Sequence, residues 1–235
     1  MISVCMATYN GAAYLQEQVT SILKQLAKDD ELIISDDGST DETYSILQTL
    51  KEQDVRIKLF KGPGKGVIAN FSFAISQASG DYLFLADQDD VWLPDKVAKM
   101  LALFKANPKC LLILSDLMIV NQDLQVVFPS YFTHKQVRTG FYANILRNTY
   151  IGAGMAFRRA LLPRILPIPE NVPMHDMWIG LLAEPNVQLF AEPLTLYRRH
   201  EQNASELHTK ASRLQQLKWR FALVYYLILR KLFKK

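Results

Sequence analysis

Strand-like and helix-like patterns alternate four times between Ile2 and Ala86, and that alternation leaves few architectures open. Apolar runs at residues 2–7, 32–35, 56–60 and 82–86 read as strands. Between them Leu15, Val19, Ile22, Leu23 and Leu26 recur at helical spacing, then Ile46, Leu47 and Leu50, then Val67, Ile68, Phe71, Ala74 and Ile75. Strands joined in this way run parallel, and right-handed crossovers stack the helices on both faces of one sheet. The expected fold class is α/β with a mostly parallel central sheet.

The fourth strand carries the chemistry. Residues 82–86 are continuously apolar and aromatic, as in a strand covered on both faces, and they run straight into Asp87, Asp89 and Asp90. Those carboxylates therefore sit at the C-terminal end of a parallel strand, the edge where open α/β sheets bind ligands. Crowded carboxylates repel one another unless a hard cation such as Mg2+ or Mn2+, shared with phosphate, neutralises them. A solvated acidic turn capping the helix that Pro94 opens accounts for the same residues.

Beyond this loop the pattern loosens and no internal repeat is visible. Val97, Met100, Leu101 and Phe104 mark the helix after Pro94; a strand over 110–115, a turn over 121–123, a short strand over 126–128 and a helix over 138–146 follow. Gly152, Ala153 and Gly154, within an expected strand over 151–157, imply close backbone approach to a ligand or a neighbouring element. Pro163, Pro167, Pro169 and Pro173 keep the next segment non-helical until a helix opens at 174–178 and runs through Leu182. Asp176 in its first turn reads either as a cap or as a proton acceptor beside a pocket. Strands at 187–190 and 194–197 lead into Arg198, Arg199 and His200, which suit either a diphosphate or a solvated turn. The linker 61–66 lacks the Gly-Lys-Ser/Thr ending of a P-loop; it reads first as a flexible connector, with Lys65 in reach of a ligand.

A chain of 235 residues with 49% hydrophobic content can bury a full core and is most simply one large domain. Cys5 and Cys110 lie in separate apolar runs, which favours free buried thiols in a reducing compartment. The N-terminal residues enter a strand with no signal-peptide pattern, so a cytoplasmic location is expected, and the sequons at Asn70 and Asn203 carry little weight.

Taken in order, Ala7-Thr8-Tyr9-Asn10-Gly11, Asp36-Asp37-Gly38-Ser39-Thr40-Asp41, the segment 66–70, Asp87-Gln88-Asp89-Asp90-Val91-Trp92, His175-Asp176 and Tyr197-Arg198-Arg199-His200 form a specific series. Over residues 1–205 the chain resembles the family 2 glycosyltransferases with the GT-A fold, in particular the bacterial rhamnosyltransferase-like subset. The resemblance implies a nucleotide-sugar-binding half (1–118), an acceptor-binding half (119–205) and an inverting transfer from a UDP- or dTDP-sugar, dTDP-rhamnose among them. It implies nucleotide contacts from Thr8, Tyr9, Asn10, Asp37, Lys65, Asn70 and Asp87, and a Mg2+ or Mn2+ ion on Asp89 with His200. Arg198 and Arg199 fall where the diphosphate is held, and Asp176 matches the general base. His-Asp-Met-Trp stands where a second Trp is more usual, which blurs the acceptor assignment.

The net charge of +4 conceals an asymmetry. After Glu206 every charged side chain is basic, from Lys210 and Arg213 to Lys234 and Lys235, so the body before it is slightly acidic. Leu207, Leu214, Leu217, Phe221, Val224, Tyr225, Ile228 and Leu232 recur at helical spacing among these residues. The apolar stretch 221–229 is too short to span a bilayer, which takes roughly 20 residues. Residues 206–235 are therefore expected to form a basic amphipathic helix on an anionic membrane surface, bringing the enzyme to a lipid-linked saccharide acceptor. Packing on the body or on a second subunit is the competing reading, and homo-oligomerisation stays open. A nucleotidyltransferase would want a Gly-rich, Arg-containing first loop, a non-catalytic scaffold would not need Asp89, Asp176 and His200, and nucleic-acid binding is poorly supported.

Overall fold

The computed structural model describes residues 1–200 and 213–233, with side chains of the last helix described over 218–230. The expected boundary between residues 205 and 206 lies outside the described residues, as do Leu207 and the side chains of Leu214, Leu217 and Leu232. Strands β1 (Ile2–Thr8), β2 (Glu31–Asp36), β3 (Ile57–Lys61) and β4 (Tyr82–Asp87) alternate with helices α1 (Ala12–Leu23), α2 (Thr43–Gln53) and α3 (Val67–Ser76). After them come β5 (Val91–Trp92), α4 (Lys96–Ala106), β6 (Leu112–Val120), β7 (Val126–Phe128), α5 (Tyr131–Lys135), α6 (Phe141–Leu146), β8 (Met155–Arg158), α7 (Leu162–Ile165), α8 (His175–Ala183), β9 (Val187–Arg198) and α9 (Arg213–Phe233). One sheet runs in the order β3-β2-β1-β4-β8-β6-β9-β5, with β7 paired to β6. Its β3-β2-β1-β4 portion is parallel throughout; β8 is antiparallel to both β4 and β6, and β6 and β9 pair parallel. The expected α/β, GT-A-type architecture is thus present, with a C-terminal helix.

Strand alternation divides the core in two. Val4, Met6, Leu32, Ile34, Phe84 and Ala86 face one side with Leu15, Val19 and Ile22 of α1 and Met100 and Phe104 of α4. Cys5, Ile33, Leu83 and Leu85 face the other, with Phe71 and Ile75 of α3 and Trp178 and Leu181 of α8. Cys5 and Cys110 are both free and buried.

The second half departs from expectation where tertiary contacts outweigh local pattern. Residues 138–146 do not form one helix: Gly140 at φ 115° sets the start of the short α6, after a separate α5. Pro163 sits inside the first turn of α7, where a missing N–H costs nothing, so the proline-rich segment is not wholly non-helical. The two late strands are one, β9; Pro193 falls at its register shift against β6, where the ladder is already interrupted. Helix α4 begins at Lys96 rather than Pro94, behind Asp95 at φ 64°. Gly152–Gly154 is a 3-10 turn, and a Cβ on Gly154 would lie 2.4 Å from the Ser115 carbonyl, so close packing on β6 explains that glycine.

At the edge opposite the carboxylate loop, Glu31 accepts from Ser3 Oγ (2.5 Å), from Ser79 N and Oγ (2.7 Å each) and from Lys58 Nζ. Burial alone would raise this carboxyl; the hydrogen bonds from Lys58, Ser3 and Ser79 outweigh it and lower the pKa to about 2 from 4.5. A depressed folded-state pKa contributes stability above pH 4.5 that is lost as pH falls toward 2. Thermal melts should therefore show Glu31→Gln less stable than wild type at pH 7, with the gap closing between pH 5 and 2; a gap independent of pH would refute the assignment.

Helix α9 lies on the body through Leu223 and Leu227, both in the core with α8. Arg230 donates to the carbonyls of Leu166 (2.7 Å) and Pro167 (2.5 Å), and Arg220 to that of Leu146 (3.3 Å). The opposite stripe, Phe221, Val224, Tyr225 and Ile228, is exposed, as are Tyr142 and Leu146 of α6. Packing on the body and an uncovered apolar face thus coexist on one helix.

Candidate active site

The strand order fixes where the site lies. From β1 the chain builds outward to β2 and β3, then returns to place β4 on the other side, so the crevice between β1 and β4 is a switch point. Register aligns Thr8 with Asp36 and Ala7 with Asp87 at the C-terminal edge.

The loops there are clipped together by their own polar groups. Thr8 is buried, and its hydroxyl donates to Asp36 Oδ1 (3.0 Å). Asn10 adopts φ 49°; its N–H donates to Ser39 Oγ (2.9 Å) and its Oδ1 accepts from the Thr40 N–H (2.8 Å). The Asp37 carboxylate accepts from the N–H groups of Gly64 (2.7 Å) and Gly66 (2.6 Å), so the glycine linker is clamped on the β2 loop rather than flexible. Asn70 donates to the Ser35 carbonyl (2.8 Å) while its own Oδ1 is buried without a partner. Lys65 is exposed and pairs with Glu170 (3.1 Å), and Tyr9 is more than half exposed beside the cleft.

The acidic loop meets both distant segments. Burial raises the Asp87 carboxyl to about 7, with Asp89 and Asp176 adding to the effect and Lys96 opposing it. Asp90 is pushed well above the usual range by burial and then by Asp89 and Asp87; its Oδ1 accepts from the Arg198 N–H (3.0 Å) and its Oδ2 is buried without a partner. Asp89 Oδ2 lies 2.8 Å from His200 Nε2, and the His200 ring packs on Tyr14 at 4.8 Å. A carboxylate and an imidazole at this distance suit a divalent ion of the Mn2+ or Mg2+ kind, with diphosphate oxygens and water as the other ligands. Among the described residues no group of three or more His, Cys, Asp or Glu side chains is placed to hold a metal ion.

Asp176, in the first turn of α8, accepts from its neighbour Met177 N–H (2.5 Å) and from Gly152 N–H (3.2 Å). Burial raises its pKa to about 7 against those hydrogen bonds. His175 beside it is stacked on Phe71 with ring centroids 4.0 Å apart, and burial lowers it to about 3, so it is neutral.

Arg198 has its donors committed within the protein: Nε to the Asp89 carbonyl (2.8 Å), Nη1 to the Gln122 carbonyl (2.6 Å) and Nη2 to Glu17 (2.5 Å). It ties the acidic loop to β9. Arg199 lies over the Tyr197 ring at 5.8 Å, with its N–H on the Val120 carbonyl (2.8 Å).

Three residues in this network carried no role in the sequence reading. Gln88 bridges to Tyr9 by paired bonds to its main-chain N–H and carbonyl (2.9 Å each). Glu17 takes Arg198, and Lys96 is wholly buried beneath the acidic loop. Only Lys96 left a signal: it lies one helical turn before Met100, a charge on the apolar face of α4.

A parallel α/β sheet with an acidic loop at its switch point, a carboxylate on a facing helix and a returning His-bearing strand defines a protein of the GT-A fold. The chain belongs to glycosyltransferase family 2, whose sequence model, described as Glycosyl transferase family 2, matches residues 3–166. It is 26% identical over 195 residues to the Escherichia coli UDP-Glc:alpha-D-GlcNAc-diphosphoundecaprenol beta-1,3-glucosyltransferase WfgD, covering 80% of this chain and 72% of that one. The structure of Staphylococcus aureus TarS 1-349 with UDP-GlcNAc superposes with a TM-score of 0.70 at 19% identity, over 97% of this chain and 72% of that one. The mannosyltransferase PcManGT from Pyrobaculum calidifontis, in complex with GDP-Man and Mn2+, gives 0.67 at 20% identity, over 96% and 64%. The chain spans about half the length of curated relatives that it matches, 41% of one and 53% of another.

Proposed function

We propose that this chain transfers a glycosyl residue from a nucleoside diphosphate sugar, UDP- or dTDP-linked, to an acceptor hydroxyl with inversion at the anomeric carbon. The observation that carries the reading is the convergence of Asp87, Asp89, Asp176 and His200 at one switch point although they lie on three separate segments. Tyr9, Asn10 and Asp37 border the crevice for the nucleoside, with Lys65 at its rim. Asp89 and His200 would hold a divalent ion, and Mn2+ or Mg2+ bound there would supply charge neutralisation for the departing diphosphate. Asp176 takes the proton from the acceptor hydroxyl as that oxygen attacks, and a single displacement inverts the configuration. The rhamnosyltransferase-like motifs keep dTDP-rhamnose among the donors, whereas WfgD is named for UDP-Glc, TarS is bound to UDP-GlcNAc and PcManGT to GDP-Man. Calorimetric titration with UDP and dTDP, with and without Mn2+, tests the donor site. Metal-dependent binding of one is expected, and no binding of either would overturn the reading.

The acceptor we infer is a lipid-linked saccharide met at an anionic membrane surface, supported by the exposed stripe of α9 and by Tyr142 and Leu146 beside it. Among the described residues no helix is long and apolar enough to cross a membrane. Phe221 and Tyr225 are more than half exposed between the exposed cations Lys218 and Arg220 and the next turn, the arrangement of an interfacial helix. Replacing each by serine should weaken partitioning onto phosphatidylglycerol vesicles by on the order of tenfold per side chain, from the apolar area withdrawn from lipid. Unchanged partitioning would refute membrane docking by this face.

A further inference from the structure

The most anomalous group in the fold is the Lys96 ammonium. It stands in the first turn of α4, where the helix dipole disfavours a cation, and its side chain is wholly buried, which costs further free energy. A leucine or methionine there would continue the apolar face of α4 at no such cost. What the charge does is visible in its partners. Nζ donates to the Ala153 carbonyl (2.7 Å) and to Thr195 Oγ1 (2.7 Å), and lies 4.4 Å from the centre of the Trp92 ring. The Thr195 hydroxyl in turn reaches the Ala153 carbonyl at 3.3 Å.

Each contact leads to a different part of the site. Ala153 belongs to the turn whose Gly152 N–H holds the Asp176 carboxylate. Thr195 lies on β9, which ends by delivering Arg198 to the Asp89 carbonyl and is followed by His200 on the Asp89 side chain. Trp92 closes the acidic loop, packing on Phe84 of β4 with ring centroids 5.7 Å apart. Burial lowers the Lys96 pKa to about 7, with Asp90 and Asp87 opposing the shift.

We propose that Lys96 is a positioning residue: its buried side chain pins the turn that holds Asp176 against β9, and so sets the place of the base. The inference rests on the glycosyl-transfer reading above. Lys96 is wholly buried and acts through the turn that places Asp176. A misplacement of about 1 Å in such an arrangement costs on the order of 10²-fold in rate.

The test uses the full chain with Mn2+, reading UDP binding by calorimetry and turnover as UDP released from UDP-glucose and UDP-N-acetylglucosamine. Wild type, Lys96→Met, Asp176→Asn and the double variant are compared, with circular dichroism to verify folding. Lys96→Met should bind UDP as wild type does and lose turnover by on the order of 10²-fold. In the Asp176→Asn background the same change should add no further loss, because a residue that acts by placing the base has nothing left to place. If Lys96→Met fails to fold, Thr195→Val, which removes the hydroxyl and keeps the shape, carries the same test at smaller amplitude. Wild-type turnover in a folded Lys96→Met, or losses that simply multiply in the double variant, would overturn the positioning role. A wild type that binds neither UDP nor dTDP instead removes the donor reading beneath it.

Discussion

Asp176→Asn is expected to retain UDP binding and to lose turnover by on the order of 10²–10⁴-fold, the range that a positioned proton acceptor contributes. Asparagine keeps the shape and leaves one oxygen for a backbone N–H, so the loop that faces the nucleotide is undisturbed. The buried carboxyl titrates near 7, raised chiefly by burial, so the competent ionised form grows as pH rises through neutrality. The rate of the wild type should climb over that interval and the residual rate of the variant should not. Stability moves the other way. A folded-state pKa above the unfolded value means that the protonated carboxyl is favoured in the fold, and this contribution is lost as pH rises through about 7. Asp176→Asn should therefore gain in melting temperature relative to wild type as pH rises from about 4 to about 7, and the gap should level off above that. Normal turnover in the variant would sink the assignment of the base.

Asp89→Asn is expected to abolish the Mn2+-dependent part of UDP binding. The substitution removes the anionic member of the Asp89–His200 pair and leaves an imidazole with a neutral amide, too little to hold a hard divalent cation against water. His200→Ala should act in the same direction with smaller amplitude, because a carboxylate remains. The comparison separates two roles of the loop. If the metal increment in UDP affinity survives Asp89→Asn, the ion is held elsewhere. If metal-free binding disappears too, Asp89 serves the loop's shape more than the ion. Arg198, which holds the Asp89 carbonyl, makes the second outcome physically reasonable and gives the experiment its discriminating power.

The place of Asp89 was legible early because it follows from a local rule. A covered parallel strand delivers its C-terminal residues to the ligand-binding edge, so Asp87, Asp89 and Asp90 could be set there from the run 82–86 alone. Asp176 was legible only in part: its spacing marks a helix start, and nothing local distinguishes a cap from a base. What the fold adds is the distant acidic loop, close enough for Asp176 to raise the Asp87 carboxyl. The second half resisted for a related reason. Residues 187–198 read as two strands because Pro193 interrupts the pattern, yet pairing with β6 on either side of a register shift makes them one.

By itself the sequence determined the α/β architecture, through the period of its apolar residues, and the edge at which the carboxylates emerge, through the direction of a parallel strand. Only the tertiary structure decided how the polar side chains are spent. Arg198 reaches Asp89, Gln122 and Glu17, and Lys96 reaches Ala153 and Thr195, across long stretches of chain. It also decided that Asp37 clamps the glycine linker and that α9 turns Leu223 and Leu227 inward while Phe221 and Tyr225 stay outside. The physical reason is one of range. Periodicity is written into neighbouring residues by backbone geometry, whereas a hydrogen bond depends on a few tenths of an ångström between segments whose relative placement exists only once the core has packed.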